Sequence, residues 1–254
     1  MKGAYLIPFV CLLLHIPAGQ AQEGEVKKGY YPDGKLRYEG LFLNGLPAGQ
    51  VTHYHENGRI KAVMNHNGRE TDAVLYDTGG EVSVSGRYID RKKEGIWSYR
   101  KGERLLMTES YADNRLSGPS ERFFPGGGVA ERKEWRDGRL SGPWELFYED
   151  GTLRLEARFS DGKLDGELKS YDPEGRLLVK GRYAGNWKEG VWAYYRADGT
   201  LKEERTYVQG VAENSEEELE ENRQLDELIR EGRRIVDPAD FINDPLLYLR
   251  ATGE

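Results

Sequence analysis

The stretch S-G-P-W-E-L-F-Y-E-D-G-T-L-R-L-E-A-R-F-S-D-G, Ser141 to Gly162, decides the fold. Trp144 to Tyr148 is a short aromatic run, and Glu149-Asp150-Gly151 reads as a turn. Leu153, Leu155, Ala157 and Phe159 then alternate with polar residues, which places all four on one face of a strand. Asp161-Gly162 closes the segment with a second turn. Two strands and two glycine turns make one β-hairpin.

The unit recurs along the chain. A turn glycine stands at Gly34, Gly58, Gly80, Gly102, Gly127, Gly151, Gly175 and Gly199. A second series, Gly49, Gly95, Gly118, Gly142, Gly166 and Gly190, runs in step with it, and Asp72 takes the one missing place. Self-similarity at a fixed period of about 20–50 residues marks a repeat architecture. The count is eight units over residues 22–211. A composition of 37% hydrophobic residues with 32 glycines and 16 tyrosines fits short strands over a thin core.

Each position has a physical reason. Two residues after the turn glycine stands an aliphatic, at Leu36, Ile60, Val82, Val129, Leu153, Leu177 and Leu201. Eight residues after it stands a ring, at Phe42, His66, Tyr88, Trp135, Phe159, Tyr183 and Tyr207; the fourth unit runs one residue late, with Leu105 and Tyr111. Equal parity predicts that both sites share one face. Small residues between them (Gly40, Ala62, Gly86, Ala157, Gly181) leave room for a ring of the adjacent strand. Each buried ring contributes roughly 1.5–3 kcal/mol. After the second glycine come Trp97, Trp144 and Trp192, and then a further aromatic at Tyr54, Phe123, Phe147, Tyr171 or Tyr195. A straight strand sends these two sites to opposite faces, so the expectation is rings on both faces or a bend after the tryptophan. Two units are more polar. Glu203 and Arg205 make the eighth read as a capping unit, and Glu131 and Lys133, with glycines at 126–128, make the fifth read as a bend.

The ends differ from the repeats. Residues 1–21 read as a secretory leader: Lys2, an apolar run from Ala4 to Leu14, then small residues to Ala21. The run falls short of the roughly 20 residues that span a bilayer, so membrane insertion after cleavage is not expected. Cleavage removes Cys11, the chain's one cysteine, and with it disulfide and thiolate chemistry. Residues 212–254 carry 13 acidic and 5 basic residues, while 22–211 carry 31 of each. Neither part has the basic stripe that nucleic acid demands. In the tail, Leu219, Leu225, Leu228, Ile229, Ile235 and Val236 follow a helical spacing, with Asn214 or Ser215 as the cap and Pro238 as the stop. This predicts an acidic helix folded onto the last hairpin or docked on a partner, with a mostly disordered acidic tail as the third reading; Pro245 to Leu249 is an apolar segment that packing would cover.

Units such as E-L-F-Y-E-D-G-T-L-R-L-E-A-R-F-S-D-G-K-L-D-G and S-Y-D-P-E-G-R-L-L-V-K-G-R-Y-A-G-N-W-K-E-G-V-W resemble MORN-repeat variants, in particular bacterial YwqK-type antitoxin components. The resemblance covers about Tyr30 to Gly210. It implies an all-β fold, an elongated single-layer antiparallel sheet of successive hairpins, and a binding or scaffolding role. The export leader and the acidic tail depart from it, and a leader is out of place on an antitoxin acting in the cytoplasm.

No catalytic constellation stands out. His53 and His55 share a predicted strand face, a geometry a metal can use, but His66 occupies the repeat's ring position, and neither metal nor cofactor is expected. The carboxylates at Asp33, Asp150, Asp161 and Asp198 serve turns. No nucleophile elbow or phosphate loop is present. Two sets of residues offer an interaction surface. Trp97, Trp144 and Trp192, if exposed in a row, would stack on glycans, although their spacing equals the structural period and packing explains it. The outward row Arg154, Glu156 and Arg158, summed over many units, would meet a protein. The sequence therefore predicts an exported, non-enzymatic scaffold for a protein partner, with a glycan-binding module and an antitoxin-like binder as alternatives.

Overall fold

A computed structural model describes residues 24–213 and 220–232. The predicted leader, the proposed helix cap and the segment from Ile235 to Leu249 lie outside the described residues. The strands are β1 (Glu25–Tyr30), β2 (Leu36–Leu43), β3 (Leu46–Tyr54), β4 (Ile60–Asn67), β5 (Glu70–Tyr76), β6 (Val82–Ile89), β7 (Lys92–Lys101), β8 (Arg104–Ala112), β9 (Arg115–Phe123), β10 (Val129–Arg136), β11 (Arg139–Phe147), β12 (Leu153–Ser160), β13 (Lys163–Leu164), β14 (Gly166–Tyr171), β15 (Leu177–Ala184), β16 (Trp187–Tyr195), β17 (Leu201–Val208) and β18 (Val211–Ala212). One helix, α1, spans Glu220–Gly232. Each strand pairs antiparallel with the next, and β13 and β14 act as one strand interrupted at Asp165, both pairing β12. The result is an open antiparallel sheet of tandem hairpins, as the repeat predicts.

Two bulges per unit shape it. At the first, Ser170 pairs with Val179 and Tyr171 with Leu177, so Leu178 is an extra residue. Ser170 and Tyr171 point to opposite faces, and so must their partners. The same step occurs in every unit, with Arg37, Lys61, Ser83, Leu106, Ala130, Arg154 and Lys202 as the extra residue. It corrects the expectation that positions two and eight share a face. The bulge falls between them and reverses the parity. Leu155 and Val179, four residues after the turn glycine, lie in the core with Phe159 and Tyr183, whereas Ile60 and Leu201 at position two are exposed.

The second bulge uses the second glycine series. Gly49, Gly95, Gly118, Gly142, Gly166 and Gly190 all have positive φ, where a Cβ is strained. Residues around each are unmatched on the neighbouring strand, as between the Lys180–Ala193 and Arg182–Glu189 pairs. Where Asp72 replaces the glycine, β4 and β5 pair without any shift.

This bulge turns the following tryptophan onto the inner face, where it lies across a small residue of the preceding or following strand. Trp97 lies over Gly86 and Trp192 over Gly181, and Trp144 pairs with Ala157. The indole N–H of Trp97 donates to the Arg87 carbonyl and that of Trp192 to the Arg182 carbonyl, both at 3.2 Å. Around these indoles two clusters form the core. One centres on Trp97, Tyr99, Met107 and Tyr111, the other on Trp144, Leu155, Phe159, Leu168 and Trp192.

The polar units do not behave as the sequence suggests. Glu131 is 5% exposed; its carboxylate accepts the Trp144 indole N–H at 2.9 Å and pairs with Lys133 at 2.9 Å. Pairing continues through β9, β10 and β11 without a break. Arg205 is equally buried and pairs with Glu203 at 2.6 Å. Glu131 and Arg205 are thus buried and partnered, with half-buried Lys133 and Glu203 completing the pairs.

The helix packs its Leu225, Leu228 and Ile229 stripe on the second cluster. It does more than close the last hairpin. Asn222 meets Tyr194 and Tyr207 on β16 and β17, while Gly232 meets the Trp144 ring on β11. The helix thus lies across the strands and covers the inner face of the C-terminal units.

A Cβ on Gly181 would stand 2.1 Å from Trp192 Cδ2, and one on Gly86 2.3 Å from Trp97 Cδ2. Gly181→Ala and Gly86→Ala should each destabilise the protein by about 1–3 kcal/mol through overpacking, read as a lower urea midpoint.

Candidate interaction surface

The inner face is occupied by its own packing and by α1, so the accessible surface is the outer one. Its centre is a single row of residues matched strand to strand from β1 to β17. On β1 and β2 it carries Lys28 and Glu39, and from β3 to β8 it reads Thr52, Val63, Val74, Ser85, Ser98 and Thr108, all uncharged. From β9 it becomes Glu121, Arg132, Glu145, Glu156, Lys169 and Lys180. Arg132 bridges Glu121 at 2.9 Å and Glu145 at 3.0 Å. Lys169 bridges Glu156 at 3.1 Å and Glu167 at 2.9 Å, and Lys180 meets Glu167 at 3.1 Å. Hydrogen bonds to the Glu167 and Glu156 carboxylates hold the Lys169 ammonium well above the ordinary lysine value. Those from Lys169 and Lys180 hold Glu167 below the ordinary carboxylate value.

Beside the row runs a stripe of half-buried rings. The bulge sends Tyr54, Phe123, Phe147, Tyr171 and Tyr195 to the outer face, each paired with the aliphatic at position two: Ile60, Val129, Leu153, Leu177 and Leu201. Several rings rest on a charge fifteen residues earlier. The Tyr54 hydroxyl donates to Glu39 at 2.7 Å, the Tyr171 hydroxyl donates to Glu156 at 2.7 Å, and the Arg132 guanidinium lies 5.8 Å over Phe147. Burial first, and then the bond to Glu156, push the Tyr171 hydroxyl up to about 12.

The predicted surface residues separate. Trp97, Trp144 and Trp192 are 1%, 0% and 0% exposed. They form no exposed row, because the glycine bulge turns each one inward over a small residue. Glu156 and Arg158 do face outward on β12. Arg154 does not share their row: as the extra residue of a bulge it turns to the groove between sheet and helix, with its guanidinium 5.5 Å over the Tyr148 ring and Glu227 and Glu231 lining the opposite wall. The rings at Phe147 and Tyr195 lie on the face opposite Trp144 and Trp192, which gives the expected rings on both faces of the sheet; the charges that support them come from the adjacent strand and have no local signal in sequence.

The histidines take separate partners. Tyr54 ends β3, so His55 leaves the strand face of His53, and its Nε2 meets the Tyr76 carbonyl at 3.0 Å. His66 Nδ1 meets Thr71 Oγ1 at 2.9 Å. Among the described residues no group of three His, Cys, Asp or Glu could hold a metal ion, and no helix is long and apolar enough to cross a membrane.

The family model for the MORN repeat variant matches four stretches of this chain, residues 22–44, 140–161, 164–184 and 188–209. Two of them, 140–161 and 164–184, carry Glu145, Glu156, Lys169 and Lys180 of the charged row. No curated protein matches the chain. Among solved structures, the crystal structure of TarM is similar over 45% of this chain and 20% of its own, at 13% identity and a TM-score of 0.19, too low to carry any argument.

Core and surface should respond differently to truncation. Trp144→Ala should cost about 3–5 kcal/mol, since it opens a cavity and removes the donor that holds Glu131. Arg132→Ala should cost under about 1 kcal/mol. Urea denaturation of both variants checks this. A second expectation concerns pH. Burial lowers His53, with the Lys61 charge assisting, and burial lowers His66. The folded state therefore resists protonation that the unfolded chain accepts. Their stabilisation is complete above the ordinary histidine value, near 6.5, and is lost as pH falls below it. The urea midpoint should drop between pH 7 and pH 5, and His53→Gln with His66→Gln should flatten that drop.

Proposed function

We propose that this chain is a non-enzymatic repeat scaffold, exported on residues 1–21, that holds a protein partner along the outer face of its sheet. The observation that carries this reading is the recurring ring-and-charge pair: Tyr54 with Glu39, Phe147 with Arg132, Tyr171 with Glu156. Surface ion pairs contribute little to stability. A row of them in fixed register supplies a charge pattern that selects a partner and its alignment. The rings beside it supply the apolar anchors that protein interfaces concentrate. Because positive and negative groups are interspersed, the face suits a mixed-charge protein surface better than a polyanion. The glycan alternative relied on indoles at 97, 144 and 192, and with those indoles buried it has no platform there.

The test is affinity capture from a cell-envelope extract with the full chain as bait, followed by titration of the captured protein. Arg132→Glu with Lys169→Glu, and separately Phe147→Ser with Tyr171→Ser, should weaken its binding at least tenfold while circular dichroism stays unchanged. Undiminished binding by both variants would overturn the reading, as would binding of polysaccharide with no protein captured.

A further inference from the structure

Among the described residues the sheet has two end strands, and they complement each other. At one end β1 pairs with β2 alone, and its Val26 and Tyr30 are exposed. At the other end β18 pairs with only Tyr207 and Val208 of β17, and the Glu213 N–H adds a bond to the Thr206 carbonyl at 2.9 Å. Beyond that point no described residue pairs with the far edge of β17, from Leu201 to Arg205. Its exposed groups there include Leu201 and Glu204.

The open stretch has a definite length. β16, the equivalent strand one unit earlier, has nine residues. Residues 211–213 take its first three places. The six residues of β1 match the rest, Gly190 to Tyr195. Tyr30 pairs with Leu36 across the extra residue Arg37, as Tyr195 pairs with Leu201 across Lys202. β1 of a second copy therefore fits the edge of β17 in the register that β16 uses on β15. Lys180 stands opposite Ala193 there, so Glu204 would stand opposite Lys28.

The side chains agree with this register. On β12 and β14, Lys169 meets Glu156 at 3.1 Å and the Tyr171 hydroxyl donates to Glu156 at 2.7 Å. Glu204 holds the place of Glu156 in its repeat, and Lys28 and Tyr30 hold those of Lys169 and Tyr171. Lys28 meets Glu39 of its own copy at 3.1 Å. A second glutamate would give it the two partners that Arg132 has in Glu121 and Glu145. On the inner face, Glu203 holds the place of Glu131, and Lys27 that of the Trp144 indole that donates to Glu131. Lys27 would also stand opposite Arg205, as Trp144 stands opposite Lys133, a like charge that Glu203 has to balance. Lysines on an edge strand ordinarily keep sheets apart; here the opposite edge carries the glutamates that answer them. The helix leaves this edge clear, since it runs from Tyr207 back toward Trp144.

We propose that a second copy of this chain adds its β1 to β17, so that copies join head to tail and the antiparallel sheet runs on across them. The contact is heterologous and leaves each assembly an open end, so association continues into linear chains. It is independent of the outer-face partner, whose row of charges and rings it lengthens.

Sedimentation velocity of the full chain over a dilution series tests this. The wild type should form species whose size grows with concentration. Lys28→Glu and Glu204→Lys should each weaken association at least about tenfold, because like charges then meet. A mixture of the two variants should regain it, since each supplies the charge the other lacks. Glu204 is exposed, so its variant keeps the fold even if Lys28→Glu loosens β1 from Glu39. A wild type that stays monomeric at every concentration would overturn the proposal. So would association that neither variant weakens, which would place the contact elsewhere on the chain.

Discussion

A tryptophan laid across a glycine of the adjacent strand is the contact on which the rest of this sheet depends. An open sheet has two exposed faces and no second sheet to bury either one. Trp97 over Gly86 and Trp192 over Gly181 solve this locally, because each indole covers the backbone of the neighbouring hairpin and excludes water from it. Each unit needs only its neighbours, the condition for a repeat array to propagate. The positive-φ glycine two residues before each tryptophan makes the contact attainable, since the bulge it permits redirects the side chain.

The polar groups inside the core follow from the same geometry. A row of indoles presents N–H donors that must be satisfied where water is absent. Backbone carbonyls serve Trp97 and Trp192, and Glu131 serves Trp144. Glu131 in turn brings Lys133 inside, since a buried carboxylate demands a partner. What looks like degeneracy in two of the repeats is a charge pair belonging to the core. The helix extends the principle: Asn222 hydrogen-bonds two tyrosines and a lysine of the strands beneath it.

Because the inner face is filled by packing, recognition falls to the outer one. Its uncharged half, Thr52 to Thr108, and its charged half, Glu121 to Lys180, divide a continuous sheet into two chemically different surfaces. The four stretches that match the MORN repeat variant include two consecutive hairpins of the charged half, 140–161 and 164–184. The surface that varies in chemistry and the scaffold that repeats are therefore alternate residues of the same strands.

Much of this was legible in the sequence. The turn glycines at a regular period, the alternation of Leu153 to Phe159 and the small residues opposite rings determine hairpins, their number and the interlock of large with small side chains. The faces were not legible. Parity counting assumes a straight strand, and one extra residue at Arg154 or Leu178 reverses every assignment before it. That is why Leu201 lies exposed and why Arg154 leaves the row of Glu156 and Arg158, whereas the indoles and the rings after them take opposite faces as their odd spacing implies. Nor could the sequence place Arg205 or Glu131 in the core, because a charge is tolerated there only by partners that pairing brings from other strands. Local sequence determined the hairpins, since turns and alternation are short-range effects. Only the tertiary structure decided which side of each strand meets the core, since a bulge is defined by the strand across from it.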